Sequence, residues 1–162
     1  MEKFLLGLCI VALTSVCGWI LAGKYRRRKS FFAQTFEFNE RFLGEVSYAK
    51  RPLGEFIERY SYTGEFEAIL RAFSESIQKD ESGVFDALVE CDFLKEEEKE
   101  FLSDYFQTLG RGDSASQKAY FSTAKGQLSE YKKQAFEEKK RYSELYLKLG
   151  FLFGLAVLVL IV

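Results

Sequence analysis

The sequence predicts an all-α protein: an antiparallel bundle of about six helices between an N-terminal and a C-terminal transmembrane helix, the last bundle helix being continuous with the second membrane helix. Three observations carry this. Apolar residues recur in steps of three and four through the middle of the chain, the spacing of one helix face. A single Pro stands among 162 residues, so little breaks the helical pattern. Two uncharged apolar runs, Phe4–Gly23 and Leu149–Val162, flank the charged middle. The expected boundaries are 1–23 for the first membrane helix, 24–30 for a basic juxtamembrane segment, 31–147 for the bundle and 148–162 for the second membrane segment.

Phe4–Gly23 is twenty residues without a charge, enough to cross a hydrocarbon core of about 30 Å. The bulky Trp19-Ile20-Leu21 does not fit a signal-peptidase site, which favours a retained anchor. Lys24, Arg26, Arg27, Arg28 and Lys29 follow at once, a membrane-surface basic cluster suited to anionic head groups. Such a cluster resists translocation and places this flank in the cytoplasm. The C-terminal run is shorter, and Leu145, Tyr146 and Leu147 extend it while Lys148 snorkels. Its near side is basic too, so both flanks point to one topology: the domain in the cytoplasm and both ends of the chain outside.

In the middle, Ser30 is placed to cap a helix over Phe31–Ala49. Phe32, Phe36, Leu43 and Val46 form its apolar side, widened by Phe38 and Phe42, and Glu37, Arg41 and Glu45 form an i, i+4 ladder. Pro52 ends that helix and opens the next, which carries Leu53, Phe56, Ile57 and Tyr60. Thr63 or Gly64 separates a third, with Phe66, Ile69, Leu70, Phe73 and Ile77. After Ser82-Gly83 a short segment offers Phe85, Leu88 and Val89, and Asp92–Lys95 turns. Glu96, Glu97 and Glu98 suit the positive, solvated start of a fifth helix, with Phe101, Leu102, Tyr105, Phe106 and Leu109 buried and Gly110 as its C-cap.

The chain is organised around the stretch from Asp113 onward. Ser114-Ala115-Ser116-Gln117 has the spacing of a capping box. Phe121, Ala124, Leu128, Tyr131, Ala135, Tyr142, Leu145 and Leu149 form one apolar seam, with Glu138 as its polar break. Fifty residues of helix would span about 75 Å, running from water into lipid. Gly150-x-x-x-Gly154 gives a membrane helix a surface that another helix approaches closely.

The chemistry the residues admit is limited. There is no His, which excludes Ser-His-Asp triads and His-ligated metal. The three Cys form no disulfide framework, and no base stands ready to activate Cys91. Glu96–Glu98 fan around a helix and do not converge on a metal. Arg111-Gly112-Asp113 matches a cell-adhesion tripeptide but reads better as C-cap, turn and N-cap. A net charge of −1 and helically spaced aromatics argue against nucleic acid. No catalytic residue, metal or cofactor is expected. The residues leave two functions open: a scaffold in a membrane complex, or a membrane-anchored adaptor holding a signalling partner at the cytoplasmic face.

Three stretches resemble one family. Glu45-Val-Ser-Tyr48-Ala-Lys-Arg-Pro52-Leu53 is similar to the Glu-Ile-x-Tyr-Gly-x-x-Pro-Leu stretch of the stage III sporulation protein AB family. Leu109-Gly110-x-x-Asp113-x-x-x-Gln117 resembles its second signature. Tyr142, Tyr146 and Leu149-Gly150-x-x-x-Gly154-Leu155 resemble its membrane-proximal end. The resemblance marks Glu45, Tyr48, Pro52, Leu53, Gly110, Asp113 and Gln117. It implies a small membrane protein of the mother cell, in the membrane around the forespore, that helps build a secretion-like channel. The family's helical domain is similar to the cytoplasmic domains of the type II secretion platform protein, the F component. The implied partners are the membrane, other small membrane proteins of the same channel and a secretion-type ATPase; a homo-oligomer is also admitted, nucleic acid is not.

Overall fold

The computed structural model describes residues 2–48, 53–79 and 83–161, with side chains for 9–45, 53–76 and 83–160. Among the described residues every regular element is an α-helix: α1 (Glu2–Leu21), α2 (Gly23–Tyr48), α3 (Leu53–Arg59), α4 (Gly64–Lys79), α5 (Gly83–Val89), α6 (Glu96–Thr108) and α7 (Ser114–Ile161). The expected corner at Tyr48–Pro52, the break at Ser82 and the side chains of Val46 and Ile77 lie outside what is described.

Ser30 does not begin a helix. Helical hydrogen bonding runs through Ala22, where Ala22 N–H donates to Gly18 O and Arg26 N–H to Ala22 O, and continues into α2 across the basic segment. Lys and Arg are good helix formers, and no Pro or paired Gly interrupts them. α7 is 48 residues long, about 72 Å of helix. It is the one helix among the described residues long and apolar enough to cross a membrane.

The chain divides into two compact units, Ser30–Lys133 and the residues up to Lys29 together with those from Gln134 onward. The Ser30–Lys133 unit is built on aromatic rings, which accounts for most of the 17 Phe. Phe38 meets Phe56, Tyr62 and Phe66 edge-on at 5.3, 5.9 and 5.7 Å between centroids. Phe121 is met by Phe42 at 4.8 Å and Tyr105 at 4.9 Å. Edge-to-face geometry sets the positive ring edge against the negative face and adds to the gain from burial.

The buried stripe of α2 is Phe31, Phe32, Thr35, Phe38, Asn39 and Phe42, with Phe36 and Leu43 only half-buried. It is rotated from the expected face because two polar residues go inward with partners. Thr35 does so by donating its hydroxyl to Phe31 O. In α5 the inward residues are Val84 and Leu88, while Val89 is exposed. The turn after α5 is not polar filler, since Phe93 is buried edge-on against Phe31.

In the second unit α1 lies against the C-terminal half of α7, and the rule for buried residues reverses. Small residues face the contact. A Cβ on Gly18 would sit 2.6 Å from Tyr146 O, one on Gly150 2.7 Å from Thr14 O, and one on Gly154 2.8 Å from Val11 Cα. Leu13, Val16, Trp19, Ile20, Leu152, Phe153, Val159 and Leu160 turn outward. The expected seam therefore ends near Ala135: Leu145 and Leu149 are exposed, and Ser143 and Gly154 are buried in their place. The helices approach so closely here that no larger side chain fits between them.

Candidate functional site

Of the residues marked in the first two signature stretches, Leu53, Gly110, Asp113 and Gln117 lie where α6 hands over to α7. Helix α6 closes with Leu109 N–H donating to Tyr105 O. Gly110 follows at φ +78°, a left-handed conformation that side chains with a Cβ resist. Space imposes a second restriction, because a Cβ there would lie 2.7 Å from Leu53 Cδ2 at the start of α3. Gly112 takes a positive φ again, +88°. The chain thus turns twice within three residues before α7 begins.

Such a turn strands backbone groups, and Gln117 takes them up. Its Oε1 accepts from Gly110 N–H at 3.1 Å, and its Nε2 donates to Thr108 O at 2.8 Å and also to Arg111 O. Gln117 is 5% exposed, so these bonds are shielded from water. The capping-box reading of Ser114–Gln117 is corrected accordingly. The cap is one residue earlier: Asp113 Oδ1 accepts from Ser116 N–H at 2.7 Å. Gln117 is then the fourth helical residue, too far along to close a box and well placed to reach back over the loop. Hydrogen bonds from Ser116 hold the Asp113 carboxyl below the usual carboxylate range.

Glu45 lies apart from this junction. It is half-buried near the end of α2, with Oε1 4.0 Å from the Arg59 guanidinium on α3. Arg41 pairs with Glu37 and also stacks 4.3 Å over the Tyr60 ring, so the expected ladder divides into two separate contacts.

The model of the stage III sporulation protein AB family matches residues 3–162. The chain belongs to this family. No curated protein and no solved structure matches it. Membership in the stage III sporulation protein AB family implies a role in sporulation.

In this stage III sporulation protein AB member, sequence reasoning passed over a buried polar link. Asn39 Nδ2 donates to Phe121 O at 3.1 Å, and Tyr105 O–H donates to Asn39 Oδ1 at 3.2 Å. Both residues are fully buried, and burial pushes the Tyr105 hydroxyl well above its ordinary range. One carboxamide thereby joins α2, α6 and α7. The signal was present in the sequence: Asn39 stands at i+4 from Thr35 and i+8 from Phe31, on the inward stripe. Glu98 was expected in solvent but is buried, because its carboxylate folds back to accept from Lys95 N–H at 2.9 Å.

The basic cluster of this family member is not one surface. Arg28 is 3% exposed and its guanidinium meets the Glu138 carboxylate at 2.5 Å. Glu138, the apparent break in the α7 seam, is thus the acceptor for a buried cation. Arg26 turns back along α1, donating to Trp19 O at 3.0 Å with its guanidinium 4.7 Å from the Trp19 ring centroid. Lys24 and Lys29 lie over the rings of Tyr25 and Phe136 at 5.1 and 5.3 Å. Gly150 and Gly154 face α1 of the same chain.

Proposed function

We propose that this chain is a non-enzymatic platform subunit of a secretion-like channel between mother cell and forespore. It sits in the mother-cell membrane around the forespore as a two-pass protein. The helices of Ser30–Lys133 form an antiparallel bundle on the cytoplasmic side, and both apolar segments run outward. Its partners are the other small membrane proteins of that channel and a secretion-type ATPase.

The observation that carries the reading is the inverted helix pair. Glycines lie in the α1–α7 contact while Leu, Ile, Val, Phe and Trp point away from it, the arrangement that suits lipid and not water. Basic residues on both flanks of the middle region support the orientation. Family membership supports the sporulation role, and the scaffold role follows from what the family resemblance implies about a type II secretion platform.

Two measurements test it. A reporter enzyme active only in the cytoplasm, inserted between α4 and α5, is expected to work; activity of a reporter that functions only outside would reverse the orientation. Co-purification of the intact protein from sporulating cells is expected to recover channel components and the ATPase. Recovery of a lone signalling partner would replace the platform with an adaptor.

A further inference from the structure

The membrane-side unit carries cations of two kinds. Arg28 is buried on Glu138, Arg26 is turned onto the Trp19 carbonyl and ring, and Lys148 is paired with Glu144 at 2.6 Å. These are committed within the chain. Lys24 and Arg141 are exposed and are placed differently. Tyr25 of α2 and Tyr142 of α7 stack at 5.0 Å between centroids, 21° from parallel. The Lys24 ammonium lies 5.1 Å from the Tyr25 ring centre and the Arg141 guanidinium 5.6 Å from that of Tyr142. Tyr25 also stacks on Tyr146, at 6.1 Å, so one cation from each helix lies over a ring of a three-tyrosine cluster.

We propose that Lys24, Tyr25, Arg141 and Tyr142 form a head-group site for an anionic phospholipid of the inner leaflet. The proposal rests on the membrane reading above and narrows it: the ligand-binding cations are drawn from two helices, and Arg26 and Arg28 of the basic run are excluded from the site. The chemistry is that of a phosphodiester. An ammonium supplies a point charge, a guanidinium two parallel donors, and the Tyr142 phenol a further donor, while the Tyr25 hydroxyl is bonded to Tyr146. Tyrosine at the level of the head groups is also where such rings partition. Lipid is the favoured source of the phosphate, because α1, which precedes Lys24 directly, and α7 carry outward apolar side chains alongside.

The test uses Trp19, the single tryptophan of the chain. The full-length protein is reconstituted into phosphatidylcholine vesicles containing a minority of phosphatidylglycerol. The bromine quencher is placed on the acyl chains of one lipid or the other, at matched mole fractions. Stronger quenching from brominated phosphatidylglycerol is expected. The preference should fall roughly fivefold for each cation removed in Lys24→Gln and Arg141→Gln. Lys118→Gln, in the other unit, should leave it unchanged. Inorganic phosphate should not reduce it. Equal quenching by both lipids, or a preference that survives the Lys24→Gln/Arg141→Gln double variant, overturns the site while leaving the membrane anchor standing. Competition by inorganic phosphate overturns the lipid as ligand. Absence of quenching by either lipid removes the membrane reading and the site with it.

Discussion

Replacing Gly110 by Ala strikes the junction in two separable ways. At φ +78° an L side chain carries a cost of about 1–2 kcal/mol. The added Cβ would also stand 2.7 Å from Leu53 Cδ2. That methyl is the outer end of a flexible side chain and can give way, so the low end of overpacking costs applies, about 1 kcal/mol. Stiffening of the unfolded chain returns about 0.4–1 kcal/mol. Gly110→Ala should therefore destabilise by about 2 kcal/mol, of which about 1 kcal/mol is coupled to Leu53. The assay is a double-mutant cycle with Leu53→Ala, read by denaturant unfolding of the full chain in detergent. Gly126→Ala serves as the opposite control. Nothing lies within 4 Å of a Cβ there and the site is inside α7, so a gain of about 0.5–1 kcal/mol is expected. Identical costs for Gly110→Ala with and without Leu53, within about 0.5 kcal/mol, would refute the close approach of α3 to the loop. A neutral Gly110→Ala would refute the left-handed turn as well.

Four further outcomes are expected. Asn39→Leu leaves the Tyr105 hydroxyl and Phe121 carbonyl without their partner and should cost about 1–3 kcal/mol, whereas Asn39→Leu with Tyr105→Phe should recover part of it; a purely additive cycle would deny the link. The raised Tyr105 hydroxyl stabilises the fold fully below its unfolded value of about 10, and that contribution is lost as pH rises toward the folded value. Alkaline unfolding followed by tyrosinate absorbance should thus begin above about pH 10 and be less steep in Tyr105→Phe. For Asp113 the sign is opposite: the stabilising effect is present above the usual carboxylate range and disappears as pH falls through the depressed value. Asp113→Asn, which keeps the cap oxygen, should flatten the acid limb of the melting profile, and an unchanged limb would deny the cap its charge. Gly150→Leu drives a side chain into the Thr14 carbonyl, which is backbone and cannot step aside. It should lower the midpoint of unfolding in an SDS titration by about 1–3 kcal/mol equivalent, and an unchanged midpoint would separate α1 from α7.

The sequence was most legible where burial follows hydrophobicity alone. Phe56, Phe66, Ile69, Leu70, Phe73, Phe106, Phe121 and Leu128 are buried as their spacing predicts. Gly110 and Asp113 were readable as helix punctuation, because conformations with positive φ and orphan N–H groups demand particular residue types. The misreadings share a cause. Thr35, Asn39, Arg28, Glu98 and Gln117 are polar residues that go inward, Asn39 and Arg28 to partners distant in sequence and Thr35, Glu98 and Gln117 to backbone groups nearby. Periodicity places such residues outside, since it weighs transfer from water and knows nothing of a carbonyl 82 residues away, as Phe121 O is from Asn39. The α7 seam failed below Ala135 for a different reason. There the tight contact selects for smallness, so Leu145 and Leu149 carry the wrong signal and glycine the right one.

The α1–α7 contact also has a history in time. Arg28 and Glu138 are separated by 110 positions along the chain. At translation rates of about 5–20 residues per second, α1 emerges roughly 5–20 s before its partner exists. Throughout that interval the glycine face of α1 is open and Arg28 lacks Glu138. The segment between them, Ser30–Lys133, is synthesised in full before the pair can close. The hairpin is therefore the last part of the molecule to assemble, and a ribosome stalled within α7 would release a nascent chain with a bare helix for quality-control proteases to find.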